Sequence, residues 1–133
     1  MLHVVVQSGK RRSSIAKAVA RKGKGIVRIN KALLNVYQPE FMRILIEEPL
    51  HLAEKHVKKM NIDVKVYGGG TMSQAEAART AIAKAIINFT NDEDLKQMFI
   101  ENDRTLLVSD TRRKEPKKQL GRGARKKRQK SYR

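Results

Sequence analysis

Two hydrophobic periods alternate along this chain, and the places where one gives way to the other mark its elements. Residues 3–7 are a short β-branched run and read as a strand. In residues 15–21, Ile15, Lys17 and Val19 alternate with Ala16, Ala18 and Ala20, the period of a second strand. Its alanine face is small enough to approach a covering layer, and its other face can carry cations outward. Lys22-Gly23-Lys24-Gly25 reads as a turn and residues 26–30 as a return strand, so the opening predicts a meander with a basic hairpin.

The period then lengthens. Pro39 and Glu40 open a helix in which Phe41, Ile44, Leu45 and Glu48 fall at helical spacing. Pro49 is expected to stop it and to start another, with Leu50, Ala53, Val57 and Met60 as its apolar stripe. Ile62, Val64 and Val66 alternate with Asp63, Lys65 and Tyr67, a half-buried strand and the fourth of the chain. Gly68-Gly69-Gly70 ends it. Ser73 and Glu76 then fit a capping box, and the helix they open should reach about Phe89. Its buried stripe is Ala75, Ala78, Ile82, Ala85, Ile86 and Phe89, which leaves Arg79 and Lys84 toward the exposed side. Asn91 can cap a last helix over residues 92–101, with Leu95, Met98 and Phe99 inward and acids in the first turn. Residues 106–108 read as a short extension. The order predicts an α+β two-layer sandwich, one four-stranded sheet with helices on one face.

Length divides the 133 residues into one globular domain, 1–109, and an extended basic tail, 110–133. Beyond residue 112 the tail has no aliphatic residue larger than alanine except Leu120, and its one aromatic is Tyr132. It offers too little apolar surface to offset the entropy of ordering, so it is expected to be disordered when free. The absence of cysteine excludes disulfides, thiolate zinc sites and a cysteine nucleophile. The start lacks a basic n-region and no apolar run approaches membrane length, so a soluble, cytoplasmic protein is expected.

Charge sharpens the picture. Residues 10–31 hold nine basic residues and no acid, and residues 112–133 hold twelve against Glu115 alone. The 80 residues between them carry nine basic and twelve acidic groups, so two cationic segments flank a slightly acidic middle in a chain of net charge +17. Runs so short of balancing acids call for an anionic partner, and nucleic-acid phosphate is the one this pattern fits. Lys10, Arg11, Arg12, Lys17, Arg21, Lys22, Lys24, Arg28 and Lys31 read as phosphate contacts, which position without reading sequence. The block lacks the aromatics of a base-stacking platform. Tyr132, flanked by Lys130 and Arg133, could stack on a base or ribose.

Enzyme chemistry finds little support. The triple glycine precedes a helix, but Thr71-Met72-Ser73 stands where a phosphate loop needs Gly-Lys-Ser/Thr. Close packing with at most one phosphate contact is the better reading. His51 and His56 are five apart, off a common helix face, and no carboxylates join them at metal-ligand spacing. Asp92-Glu93-Asp94 suits a helix dipole. No cofactor and no metal are expected.

Several blocks together resemble a known family. Ser8-Gly9-Lys10-Arg11-Arg12-Ser13-Ser14-Ile15-Ala16 with Ile29-Asn30 forms the first block, and Tyr67-Gly68-Gly69-Gly70 with Gln74, Ala75, Arg79, Ala81 and Ile82 the second. The third is Asp110-Thr111-Arg112-Arg113-Lys114-Glu115, Lys117-Lys118, Gly121, Ala124-Arg125, Gln129 and Ser131-Tyr132-Arg133. In this order, over nearly the whole chain, they resemble the universal small-subunit ribosomal protein S-nine family, S-sixteen in eukaryotes. The ending and the short N-terminus look like the archaeal form.

The resemblance implies a ribosomal S5 domain 2-like sandwich with a left-handed β-α-β crossover, against the usual hand. It also implies small-subunit rRNA in the head as the main partner, with peptidyl-site tRNA and neighbouring head proteins as others. The tail shows no lipidation signal or apolar anchor, so no membrane partner is expected, and no homo-oligomer either. The rRNA contacts extend to Arg79 and to Arg112, Arg113, Lys114, Lys117, Lys118, Arg122, Arg125, Lys126, Lys127 and Arg128. Lys130, Ser131, Tyr132 and Arg133 are implied to lie near tRNA, with the Arg133 guanidinium acting by directed hydrogen bonds because its own carboxylate cancels its charge. The rival readings are a free RNA chaperone or RNA-processing subunit of the same α+β type, and a small phosphotransferase.

Overall fold

A computed structural model describes residues 3–127 and 130–132. Strands β1 (Val4–Arg11) and β2 (Ser14–Lys22) pair antiparallel through a tight turn in which Arg12 sits at a φ of 52°. Strand β3 (Val27–Ile29) pairs with the two-residue β4 (Ala32–Leu33) across Asn30 and Lys31, both at positive φ. It does not return along β2. The later strand β5 (Met60–Tyr67) lies between them, antiparallel to β2 and parallel to β3.

The sheet therefore has five strands, ordered β1-β2-β5-β3-β4, not the four expected. Strand β4 is too short to leave a period in the sequence. The expected hairpin around Gly23 and Gly25 is also corrected. Those glycines donate to the carbonyls of Lys59 and Met60, where the chain enters β5, and the true hairpin is β1-β2.

Helices α1 (Glu40–Leu52), α2 (Glu54–Val57), α3 (Thr71–Thr90) and α4 (Glu93–Asn102) complete the domain. Helix α3 packs on β1, β2 and β5, and α1 packs chiefly on α3. Enclosed in this way, α3 buries Ala75, Ala77, Ala78, Thr80, Ala81, Ile82, Ala83, Ala85 and Ile86. Against them lie Ala16, Ala18 and Ala20 of β2 and Ile62, Val64 and Val66 of β5, as their alternation predicts, together with Met60, which opens β5 and does not belong to the helical stripe expected for it. Alanine on both surfaces brings helix and sheet close. At Gly9 the approach is closer still: a Cβ there would stand 2.2 Å from the Ala77 carbonyl oxygen.

Other local expectations give way to tertiary contacts. Pro49 is buried inside α1, which runs on to Leu52, so the proline costs one hydrogen bond without ending the helix. The buried residues of α1 are Ile46 and Pro49, while Phe41 and Ile44 are exposed. Ser73 and Glu76 form no capping box; Gly70 holds the cap position without a side-chain bond, and Glu76 turns to Arg11. Asn91 ends α3 in the left-handed region, and Asp92 caps α4, accepting from the Asp94 and Leu95 N–H groups. Leu95 and Phe99 are buried as expected, but Met98 is exposed. In place of an extension, Arg104–Leu106 is a 3-10 turn that buries Leu106 completely.

Candidate nucleic-acid interface

With the helices on one side of the sheet, the other side carries the alternate residues of every strand. Lys10 of β1, Lys17 and Arg21 of β2, Arg28 of β3 and Lys65 of β5 are exposed there. Register sets the charge density. Lys17 faces Lys65 directly across β2 and β5, and Val19 and Arg28 both face Asp63. Like charges directly opposite on a sheet are destabilising. Asp63 is the one acid here, 3.5 Å from Arg21 and 4.0 Å from Arg28.

Together Lys17, Val19, Arg21, Arg28, Lys31, Asp63, Val64 and Lys65 line a shallow groove of about 430 Å³. Five cations against one carboxylate, over a valine floor, give a surface that attracts a polyanion. Lys65 was not foreseen as a site residue. Alternation placed it on an outward face, but its position opposite Lys17 depends on a strand pairing that sequence does not display.

Other cations expected to touch phosphate sit at the ends of this face. Lys22 and Lys24 are exposed beside the loop that follows β2, where Asn61 Oδ1 accepts from the Lys24 and Ile26 N–H groups at 2.9 and 3.1 Å. Lys31 is exposed in the β3-β4 turn, braced by Asn30, whose side chain exchanges both hydrogen bonds with the Val66 backbone. Arg12 is exposed at the β1-β2 turn.

Arg11 and Arg79 are elsewhere. Arg11 points toward α3, with its side chain 14% exposed, its Nε 2.6 Å from Glu76 and its Nη1 paired with Asp110. Arg79, expected toward the exposed side, is 11% exposed in its side chain. It reaches Glu48 of α1 at 2.5 Å and Asp103 at 2.8 Å. Partial burial pushes the Asp103 carboxyl up, but hydrogen bonds from Arg79 and Thr105 outweigh it and hold the group below its ordinary range. Lys84, also expected outward, is half-buried and donates to the Ser8 carbonyl and the Ser109 hydroxyl.

The tail lacks regular secondary structure among its described residues. Arg112 bonds Asp110, and its hydrogen bonds, with Arg11 adding to them, hold that carboxyl at about 2. Arg113 donates to the Arg12 carbonyl at 2.9 Å, and Arg125 pairs with Glu115 at 3.0 Å. Lys114, Lys117, Lys118, Arg122, Lys126, Lys127, Lys130, Ser131 and Tyr132 are exposed. Arg128 and Arg133 lie outside the described residues.

The triple glycine has a structural role. Gly68 and Gly69 hold positive φ, and the Gly68 carbonyl accepts from Ser14 Oγ at 2.8 Å and Gln74 Nε2 at 3.0 Å, locking β2, β5 and α3 together. Among the described residues no group of His, Cys, Asp and Glu is arranged to hold a metal ion, and no helix is long and apolar enough to cross a membrane.

Comparison with known proteins agrees in direction. The sequence model of the family described as ribosomal protein S9/S16 matches residues 9–133. The chain is similar to the small ribosomal subunit protein uS9 of Thermoplasma acidophilum, 52% identical over 129 residues, with 97% of this chain and all of that protein covered. It is 50% identical to the uS9 protein of Thermoplasma volcanium, covering 97% of this chain and 98% of that protein. It is equally similar to that of Methanococcus vannielii, 50% identical with 99% and 100% covered.

Proposed function

The chain belongs to the ribosomal protein S9/S16 family, and from that premise we propose that its helix-free sheet face and basic tail bind rRNA in the head of the small subunit, with the tail's end near peptidyl-site tRNA. Membership makes it a structural component of the small ribosomal subunit, ribosome-associated in the cytoplasm, and not an enzyme.

The observation that carries the rRNA reading is the cross-strand pair Lys17 and Lys65. Two lysines placed face to face weaken a free sheet, yet they are apt where a phosphate lies between them. Arg21, Arg28 and Lys31 extend the same field along the groove. Arg11 and Arg79 are assigned to the fold, because each already holds two carboxylates. In the tail, Tyr132 supplies the one exposed ring that can stack on a base or ribose, and it is 88% exposed.

The test is the pair of substitutions Lys17→Gln and Lys65→Gln. Loss of two phosphate contacts should make the slope of log affinity for small-subunit rRNA against log salt shallower by about 1.5. Removal of a like-charge pair should raise stability to urea by roughly 0.2–1 kcal/mol. An unchanged salt slope would remove this face from the rRNA interface.

A further inference from the structure

The tail does not leave the domain freely. Its root, residues 109–113, runs beside the end of β1, an edge strand of the sheet. Lys84 Nζ joins the Ser8 carbonyl to Ser109 Oγ at 3.4 and 3.2 Å. The Arg11 guanidinium lies between Glu76 of α3 and Asp110 of the root. Asp110 in turn accepts from the Arg112 N–H at 2.8 Å and from its Nη2 at 2.8 Å. Arg113 then donates to the Arg12 carbonyl at 2.9 Å. Body and root are thus joined at Ser8, Arg11 and Arg12 in succession.

We propose that Arg11, Glu76 and Asp110 form a clamp that fixes the direction in which the tail departs, so that the ordered body ends near Arg113 and not at residue 109. The cluster balances itself: two guanidiniums, of Arg11 and Arg112, meet two carboxylates, of Glu76 and Asp110. A neutral cluster has little attraction for phosphate, so these groups hold position while cations beyond them bind. Arg11 is a positioning residue. A root held in place before binding leaves less conformational entropy to lose when the tail meets RNA. The clamp deepens the reading of the tail as an rRNA-binding arm and rests on that reading for its purpose.

The test uses the full free chain. It has no cysteine, so Gln97→Cys on α4 and Lys114→Cys just past the clamp give two unique spin-label sites. Pulsed electron resonance should give one narrow distance. Asp110→Ala should broaden it toward the spread of a free segment, on the order of 13 Å for the six steps from residue 108 to 114. The body should keep its circular dichroism, because Asp110 lies outside the core. Glu76→Gln, which weakens the other end of the bridge, should broaden it less.

A narrow distance that survives Asp110→Ala, or a broad one in the otherwise unaltered chain, would overturn the clamp. Neither result depends on RNA. Failure of the chain to bind rRNA would count against the function proposed above and leave the clamp standing.

Discussion

Arg79 sits in the interior of a very basic protein because two carboxylates come to it from different elements. Glu48 arrives from α1 and Asp103 from the end of α4, so one guanidinium ties three helices together. Arg79→Met keeps much of the stem but leaves both acids without their cation. Breaking a fully buried pair costs about 3–5 kcal/mol. Both acids here are about one-third exposed, so water compensates in part and a loss of about 2 kcal/mol is expected in urea unfolding near pH 7. The sign with pH follows from Asp103. Its carboxyl is held below the ordinary range in the folded chain, so its contribution is present above the unfolded value, about 4, and disappears as pH falls through the folded one. The gap between Arg79→Met and the parent should therefore narrow below about pH 4. A gap independent of pH would show that Arg79 acts by packing alone. Sequence could not place Arg79, because the helical period assigns it an outward angle and α1 covers that angle only in the assembled fold.

At the scale of elements, the distance between sheet and helix depends on small residues, and Gly9 marks its narrowest point. A Cβ at Gly9 would meet the Ala77 carbonyl oxygen at 2.2 Å and the Ala81 nitrogen at 2.7 Å, both backbone atoms that cannot turn aside. Gly9→Ala should force β1 from α3 and cost about 1–3 kcal/mol or more, read as a lower urea midpoint. An unchanged midpoint would show that β1 and α3 can part at Gly9 without cost. The alternation in β2 and β5 and the alanine-rich length of α3 were legible because each is local and periodic. The insertion of β5 between β2 and β3 was not, since it rests on pairings some 35 residues apart, such as Arg28 with Asp63. Pro49 misled for a related reason: burial against the rest of the domain outweighs one lost hydrogen bond. The site was half legible in the same way. The cations of β2 were read correctly as outward-facing, and their meeting with Lys65 needed the register.

For the whole molecule, segregated charge suggests a division of labour. The body presents a bounded cationic face on its sheet, whereas the tail carries ten basic residues and one acid beyond Arg113, past the clamp at its root. Neutralising on the order of ten phosphates costs roughly three to five decades of affinity between about 50 and 200 mM salt, so the tail should dominate the salt dependence of rRNA binding. Its last five residues hold only two of these charges, Lys130 and Arg133. Their contribution should come from directed contacts by Lys130, Ser131 and Tyr132. Removing residues 129–133 should therefore leave small-subunit assembly nearly intact and shorten tRNA retention in the peptidyl site, measured by filter binding on purified subunits. Removing everything from Arg112 onward should also impair assembly of the head, seen as slower-sedimenting particles on a gradient. If the short deletion blocked assembly while tRNA retention stayed normal, the end of the tail would be an rRNA anchor, and the charge gradient along the chain would carry no division of function.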